Sequence, residues 1–310
     1  MARLVGRRAV FTAAAAAVWL VSLACRGPVV SVDDAVVVGD APARLAAVVE
    51  YEPAWGLRKD AAGIPVRFFV AGREVGRTAT DDEGLAELQR AIPPGVRSFE
   101  ARTESTLGAA QAGGRVFRWR ADRVIIAVDI DHTLAQTDYE SLVRPDEAEE
   151  SETLTHSVAT LQDLAGRHHI LYLTGRPRLL LDKTRTWLRE RGYPDGPVIT
   201  SRGLREMLRP GVFKARELRK LRSQWPALRI GVGNTPSDAQ AYGSNGMLTL
   251  ILARQRDAQF GPHALVFRDW RELARFFADN RPILADPGAL EDALAGRRPL
   301  AWTVPAYRAD

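Results

Sequence analysis

The stretch Val124-Ile125-Ile126-Ala127-Val128-Asp129-Ile130-Asp131-His132-Thr133 decides the fold. Five unbroken apolar residues suit a strand buried on both faces, and such strands belong to parallel sheets covered by helices. Asp129 and Asp131 follow two residues apart at the strand's end, so both carboxylates project toward one crevice. Their repulsion there is costly without a bound cation, and a hard, oxygen-seeking ion such as Mg²⁺ resolves it. Outward from this stretch the chain alternates. Strands are expected at His169 to Leu173, Pro197 to Thr200, Leu228 to Val232 and Leu248 to Ala253, with helices at about Glu152 to Gly166, Arg178 to Arg191, Lys214 to Gln224 and Ser237 to Gly243. This rhythm predicts an α/β fold, an open parallel sheet with helices on both faces. Ligands of such sheets bind beyond the carboxyl ends of the strands.

The next strand ends supply more polar groups. Leu173-Thr174-Gly175-Arg176 offers a hydroxyl and closely approaching backbone amides, which suits a phosphate oxyanion. Lys214 opens a predicted helix in a chain with 39 Arg and only four Lys, so a lysine there points to a compact charge where a guanidinium would not fit. Gly233-Asn234-Thr235-Pro236-Ser237-Asp238 adds an amide oxygen and a carboxylate four residues apart, able to complete an oxygen ligand set. Each piece also has a plain alternative: a turn at Asp129 and Asp131, helix caps at Thr174 and Asn234, a solvated Lys214. Their order at successive strand ends favours the functional reading. Lys220 is the runner-up for the lysine role; Trp225 and Tyr242 read as packing residues, and His168 and His169 as structural.

This ordered set resembles the haloacid dehalogenase superfamily of phosphohydrolases, with its four motifs between residues 125 and 238. Asp129 to Asp138, together with Gly233 to Tyr242, looks like the catalytic domain of lipins and actin-patch type phosphatidate phosphatases. The departure is His132, where lipins carry Gly. The resemblance implies a Rossmannoid phosphatase domain in which Asp129 is the nucleophile and Asp131 the general acid and base. It implies Mg²⁺ held by the Asp129 carboxylate, the Asp131 backbone carbonyl, Asn234 and Asp238, and phosphoryl oxygens held by Thr174, Gly175 and Lys214. Only about 40 residues separate the first two motifs, which leaves no room for a large cap and suits a bulky or membrane-held substrate such as phosphatidate or a related lipid phosphate. The alternatives are a soluble phosphomonoester (a sugar phosphate, nucleotide or polynucleotide end) and a non-catalytic lipid-binding module. Retention of both aspartates counts against the last.

Upstream, short apolar segments at Arg44 to Tyr51, Pro65 to Ala71, Val75 to Thr80, Leu85 to Arg90 and Arg97 to Thr103 are separated by Gly, Pro and Asp-rich turns. They predict a small β-sandwich resembling bacterial immunoglobulin-like modules, with no catalytic constellation. At the start, Arg3, Arg7 and Arg8 precede an apolar run from Ala9 to Ala24, the layout of a secretory signal. The run ends in Ser22-Leu23-Ala24-Cys25, which places the sole cysteine where a bacterial lipoprotein carries its lipid, although Ser22 stands where Leu is expected. The expected organisation is therefore a signal peptide over 1–25, a β-sandwich over 35–120, a phosphatase domain over 121–280 and a C-terminal extension over 281–310. The chain is expected to be exported to the cell envelope and held at a membrane surface through Cys25. The 310 residues are 46% hydrophobic and 26% charged, an ordinary folded composition that excludes disorder, and one cysteine excludes a disulfide scaffold. Loss of the signal would remove three arginines from the 43 basic residues set against 38 acidic ones, so the net charge of +5 does not argue for a nucleic-acid partner.

Overall fold

The computed structural model describes residues 25–302 apart from 54–57, 107, 145–147, 203 and 256–257. The signal segment lies outside the described residues except for Cys25. The chain separates into two compact units between Arg118 and Trp119.

The first unit is all β. Its strands are β1 (Cys25–Val32), β2 (Ala35–Val38), β3 (Ala43–Pro53), β4 (Lys59–Asp60), β5 (Pro65–Val70), β6 (Arg73–Ala79), β7 (Leu85–Arg90), β8 (Ser98–Ser105) and β9 (Gly108–Trp119), whose last residue, Trp119, already belongs to the second unit. One sheet gathers β1, β4 and β7 around β3, and the other runs β2-β9-β8-β5-β6. Alternate residues from both sheets, among them Val32, Leu45, Val49, Phe68, Phe99 and Val116, share one apolar core, so the unit is a sandwich. It begins earlier than residue 35, because β1 pairs antiparallel with β3, Cys25 standing opposite Pro53. Strand β9 was not among the expected ones, since its Gly and Ala content has little β propensity. Glycine is required there: a Cβ on Gly114 would lie 2.4 Å from the Phe99 ring.

The second unit is built on six parallel strands in the order β14-β13-β10-β15-β16-β17. They are β10 (Ile125–Val128), β13 (His169–Pro177), β14 (Val198–Ser201), β15 (Leu228–Gly233), β16 (Leu248–Leu252) and β17 (Leu265–Phe267). All four residues of β10 are buried, as its central place between β13 and β15 requires. Ile126 and Val128 face a core shared with helices α2 (Ser157–Ala165), α3 (Leu181–Glu190) and α7 (Trp270–Asp279). Helices α5 (Pro210–Gln224) and α6 (Pro236–Gly243) cover the opposite face, where Tyr242 is fully buried and donates to the Val232 carbonyl at 3.1 Å.

Two local expectations change. Glu152 and Thr153 do not start α2; they form strand β12, paired with β11 (Ala135–Gln136), and α2 begins at Ser157. Residues 281–302 are part of the core rather than an appendage: α8 (Arg281–Leu284) and α9 (Pro287–Leu294) bury Leu284 and Leu290, and Trp302 packs on Phe267 at 4.4 Å.

The two histidines at the start of β13 are structural. His168 is buried with its ring nitrogens 3.1 Å and 3.0 Å from the Leu164 and Leu284 carbonyls. His169 stacks on Trp119 at 5.1 Å, and its Nε2 accepts from the Arg120 amide at 2.9 Å. Burial pushes the His169 imidazole down to about 4. Its folded pKa is thus depressed below the ordinary 6.5, so the stability tied to the neutral ring is complete above pH 6.5 and lost as pH falls toward 4. Urea unfolding midpoints of the unsubstituted chain should fall relative to those of His169→Phe between about pH 6.5 and pH 5, a difference that separates the ring from Asp129, whose raised carboxyl acts with the opposite sign over the same range. An unchanged slope in the variant would contradict this assignment.

Candidate functional site

Strand β10 delivers Asp129 and then a tight loop. The Asp129 amide still donates to the Val232 carbonyl at 2.9 Å, so the carboxylate leaves the sheet at a fixed point. The Ile130 carbonyl then accepts from the amides of Thr133, Leu134 and Ala135 at 3.2, 2.8 and 3.1 Å. This turn forces His132 to φ 56°, a left-handed conformation that favours glycine, at the position where the resemblance has Gly. Trp270, on α7, fixes the loop from below by donating its indole N–H to the Thr133 carbonyl at 2.7 Å.

Three charged residues from different elements meet under the strand end. Lys214, in the first turns of α5, is buried and its Nζ donates to Asp129 Oδ1 at 2.6 Å and to Asp238 Oδ1 at 2.6 Å. Burial alone would lower the ammonium, but the two carboxylates override it and hold it well above its usual value. Burial pushes Asp129 up to about 7, with Asp238 and Asp131 adding repulsion that Lys214 offsets only in part. Asp238 is also desolvated, but Lys214 and the Thr235 hydroxyl keep it below the ordinary range. Its second oxygen, Oδ2, accepts from the amides of Asn234 and Thr235 at 3.2 and 3.1 Å, while the Thr235 hydroxyl accepts from the Asp238 amide. Asp238 is therefore both a charge partner and half of a capping box that starts α6.

A second cluster holds Asp131. The Arg176 guanidinium, buried at the end of β13, donates to Asp131 Oδ1 from Nη2 at 2.8 Å and from Nε at 3.1 Å. Its other edge grips Glu149 in a two-bond fork at 2.8 and 2.9 Å, with the Trp187 ring 5.9 Å away. Thr137 donates to Asp131 Oδ1 at 2.8 Å and Thr174 to Asp131 Oδ2 at 3.3 Å. Burial works to raise Asp131, and the Arg176 charge outweighs it, leaving the carboxyl below its usual range.

Among the residues expected from sequence, Asp129, Lys214 and Asp238 thus form one connected group, and Asp131 and Thr174 touch beside it. Gly175 lies against the start of α5, where a Cβ would come within 2.9 Å of Pro210. The Thr133 hydroxyl lies 3.3 Å from Asp129 Oδ2 and 3.1 Å from Asn234 Oδ1, so two acceptor oxygens converge on a single donor. A carboxylate and an amide oxygen are ligand types that a hard cation such as Mg²⁺ takes, and here both are turned to the Thr133 hydroxyl. The carboxylates of Asp131 and Asp238 are engaged by Arg176 and Lys214, and no group of three or more His, Cys, Asp or Glu side chains with metal-binding geometry occurs among the described residues. Sequence reasoning gave no role to Arg176, although it stands in the second motif, nor to Thr133. Nothing in the sequence marked Glu149, one acidic residue in the run Asp146 to Glu150.

The family model described as PITM 1-3, LNS2 domain matches residues 126–250, which contain every one of these side chains except Trp270. The match supports the resemblance to lipin-like phosphatase domains of the haloacid dehalogenase type. No curated protein matches the chain. Among solved structures, a protein described as a beta-phosphoglucomutase from Bacteroides vulgatus is 13% identical over 56% of this chain and 91% of that chain, with a TM-score of 0.35. The titin domains Z1Z2 in complex with telethonin are 15% identical over 34% of this chain and 57% of that chain, with a TM-score of 0.23. Neither likeness is close enough to carry weight.

Removing Lys214 leaves two buried carboxylates facing each other without a cation. In the presence of a chelator, Lys214→Met should destabilise the chain by about 3–5 kcal/mol at pH 8, and by less at pH 5, where protonation relieves the repulsion. Denaturant titrations at the two pH values measure the difference; an equal loss at both would show that the lysine acts by packing alone.

Proposed function

We propose that the second unit is a Mg²⁺-dependent phosphatase that cleaves a phosphomonoester, phosphatidate or a related lipid phosphate, through an aspartyl-phosphate on Asp129. The observation that carries this reading is the pairing at one strand end: a buried Asp129 fixed by Lys214, and two residues on an Asp131 held by a different cation. The two carboxylates sit in environments that push their pKa values apart, the arrangement expected of groups with separate roles.

In the first half-reaction an Asp129 oxygen attacks phosphorus and the bond to the ester oxygen breaks, that oxygen taking a proton from Asp131. In the second, Asp131 removes a proton from water, whose oxygen attacks phosphorus and releases Asp129 and inorganic phosphate. The Arg176 contact keeps Asp131 in its base form, the form used in the second half. To act as the acid, Asp131 must turn off Arg176 toward the ester oxygen. Lys214 meets charge on the phosphoryl oxygens and keeps Asp129 aimed. Asp129 and Asn234 would hold the cation, with the Asp131 carbonyl and Asp238 beside them, and it would supply neutralising charge between the carboxylate and the phosphoryl group.

A lipid phosphate is favoured because, among the described residues, the segment between β10 and β13 holds only the β11–β12 ribbon, α2 and the short helix α1 (Tyr139–Val143). That is too little to close a cap over a bulky substrate. The cell-envelope location, the tether at Cys25 and an immunoglobulin-like spacer or binding role for the first unit belong to the same proposal. With Mg²⁺, purified protein should release phosphate from phosphatidate micelles faster than from soluble monoesters, and Asp129→Asn should abolish release while circular dichroism stays unchanged. Full activity in that variant would overturn the mechanism, and preference for soluble monoesters would overturn the substrate. Intact mass of protein recovered from membranes should show a lipid-modified Cys25 as the first residue; an unmodified N-terminus elsewhere would exclude the tether.

A further inference from the structure

Every large apolar side chain that stands exposed among the described residues lies on one of three segments that adjoin elements carrying site residues: Leu208 is 70% exposed, Val212 67%, Leu179 59%, Tyr139 57% and Met207 37%. Isolated exposed leucines are ordinary, but their confinement to one region of a chain is a mark of an interaction surface. Here that region is the mouth of the candidate site. Tyr139 reaches across to His132, the neighbour of Asp131, with ring centroids 5.9 Å apart. Leu179 follows β13 two residues after its last residue, Pro177, on the strand whose Thr174 and Arg176 hold Asp131. The segment from Met207 to Val212 bridges the other two sides: Pro210 lies against Gly175, and a Cβ on Gly211 would come within 2.7 Å of the Ser237 side chain, next to Asp238. Val212 is two residues from Lys214.

We propose that these five side chains are an interfacial docking rim that inserts into a phosphate-bearing lipid surface and sets the headgroup over Asp129. The proposal rests on the phosphatase reading and names the partner of that same site. An occupant of this rim must be apolar around the edge and present a phosphate at the centre, and a lipid leaflet has both properties in the required order. Charge agrees with that choice. Arg209 is exposed between Leu208 and Val212, and it suits an anionic headgroup beside inserted apolar neighbours. The contacts around Gly175 and Gly211 pin the segment to the second and fourth motifs, so insertion of Leu208 and Val212 fixes the depth of the catalytic carboxylate.

The full-length chain carrying Cys25→Ser and Asp129→Asn, a substitution expected to stop turnover, takes a nitroxide label at Leu208→Cys, or at Val212→Cys in a second variant. A control carries the label at Gln224→Cys, exposed at the far end of α5. With phosphatidylcholine vesicles containing phosphatidate, the ratio of oxygen to nickel accessibility should rise several-fold at 208 and 212 and stay aqueous at 224. Labels at 208 and 212 that stay aqueous while the chain floats with the vesicles would overturn the proposal. So would burial of those labels by self-association without vesicles, which would give the rim to a second copy. Failure of the phosphatase reading would show separately, as no phosphate release from phosphatidate or p-nitrophenyl phosphate by the unsubstituted chain, because label depth does not depend on turnover.

Discussion

The second unit is organised around one buried ammonium. Lys214 holds Asp129 and Asp238 at 2.6 Å each, and in doing so ties the end of β10 to the first turns of α5 and α6. Two carboxylates stripped of water could not coexist there unpaired, and the lysine could not stay charged without them. Loss of the lysine therefore leaves both carboxylates uncompensated, whereas loss of one carboxylate charge leaves the lysine the other. This arrangement explains why a chain that otherwise relies on arginine keeps a lysine at this position: one Nζ can lie between two oxygens at equal distance, where a planar fork would need a wider berth. Arg176 makes the complementary case. Its guanidinium serves Asp131 along one edge and Glu149 along the other, a bridge that lysine could not span with the same fixed angles.

Two cations thus divide two neighbouring aspartates between them. Asp129 faces a desolvated pocket that raises it, and Asp131 faces a guanidinium that lowers it, although only Ile130 separates them. The loop that makes this division must turn sharply, and it does so through three amides converging on the Ile130 carbonyl and a left-handed His132. Trp270 holds the far side of that turn from α7, so the distant end of the chain contributes to the geometry of the first motif. In the proposed docking geometry the same loop faces the lipid, with Tyr139 against His132 at its outer edge.

Much of this was legible in the sequence where a residue's environment follows from its neighbours. The run Val124 to Val128 suits a strand covered on both faces, and β10 is an inner strand of the parallel sheet. Lys214 stood out by rarity. Glu149 did not, because nothing local sets it apart within an acidic run, and only the fold turns it inward to Arg176. The strand β9 was hidden for the opposite reason: Gly114 reflects the closeness of the Phe99 ring rather than any local preference. The rim was not legible at all. Leu208 and Val212 lie ahead of the helix expected from Lys214, where nothing local tells an exposed leucine or valine from a buried one, and it is the fold that sets Pro210 and Gly211 against the second and fourth motifs.

The central claim is that the Asp129 carboxylate takes the phosphoryl group. Acid quenching during turnover, followed by borohydride reduction and peptide mass spectrometry, reads this directly, since borohydride reduces an acyl phosphate and spares a free carboxylate. The account predicts reduction confined to the Asp129 side chain. Phosphate release with no reduced aspartate, or with reduction at Asp131 instead, would contradict it.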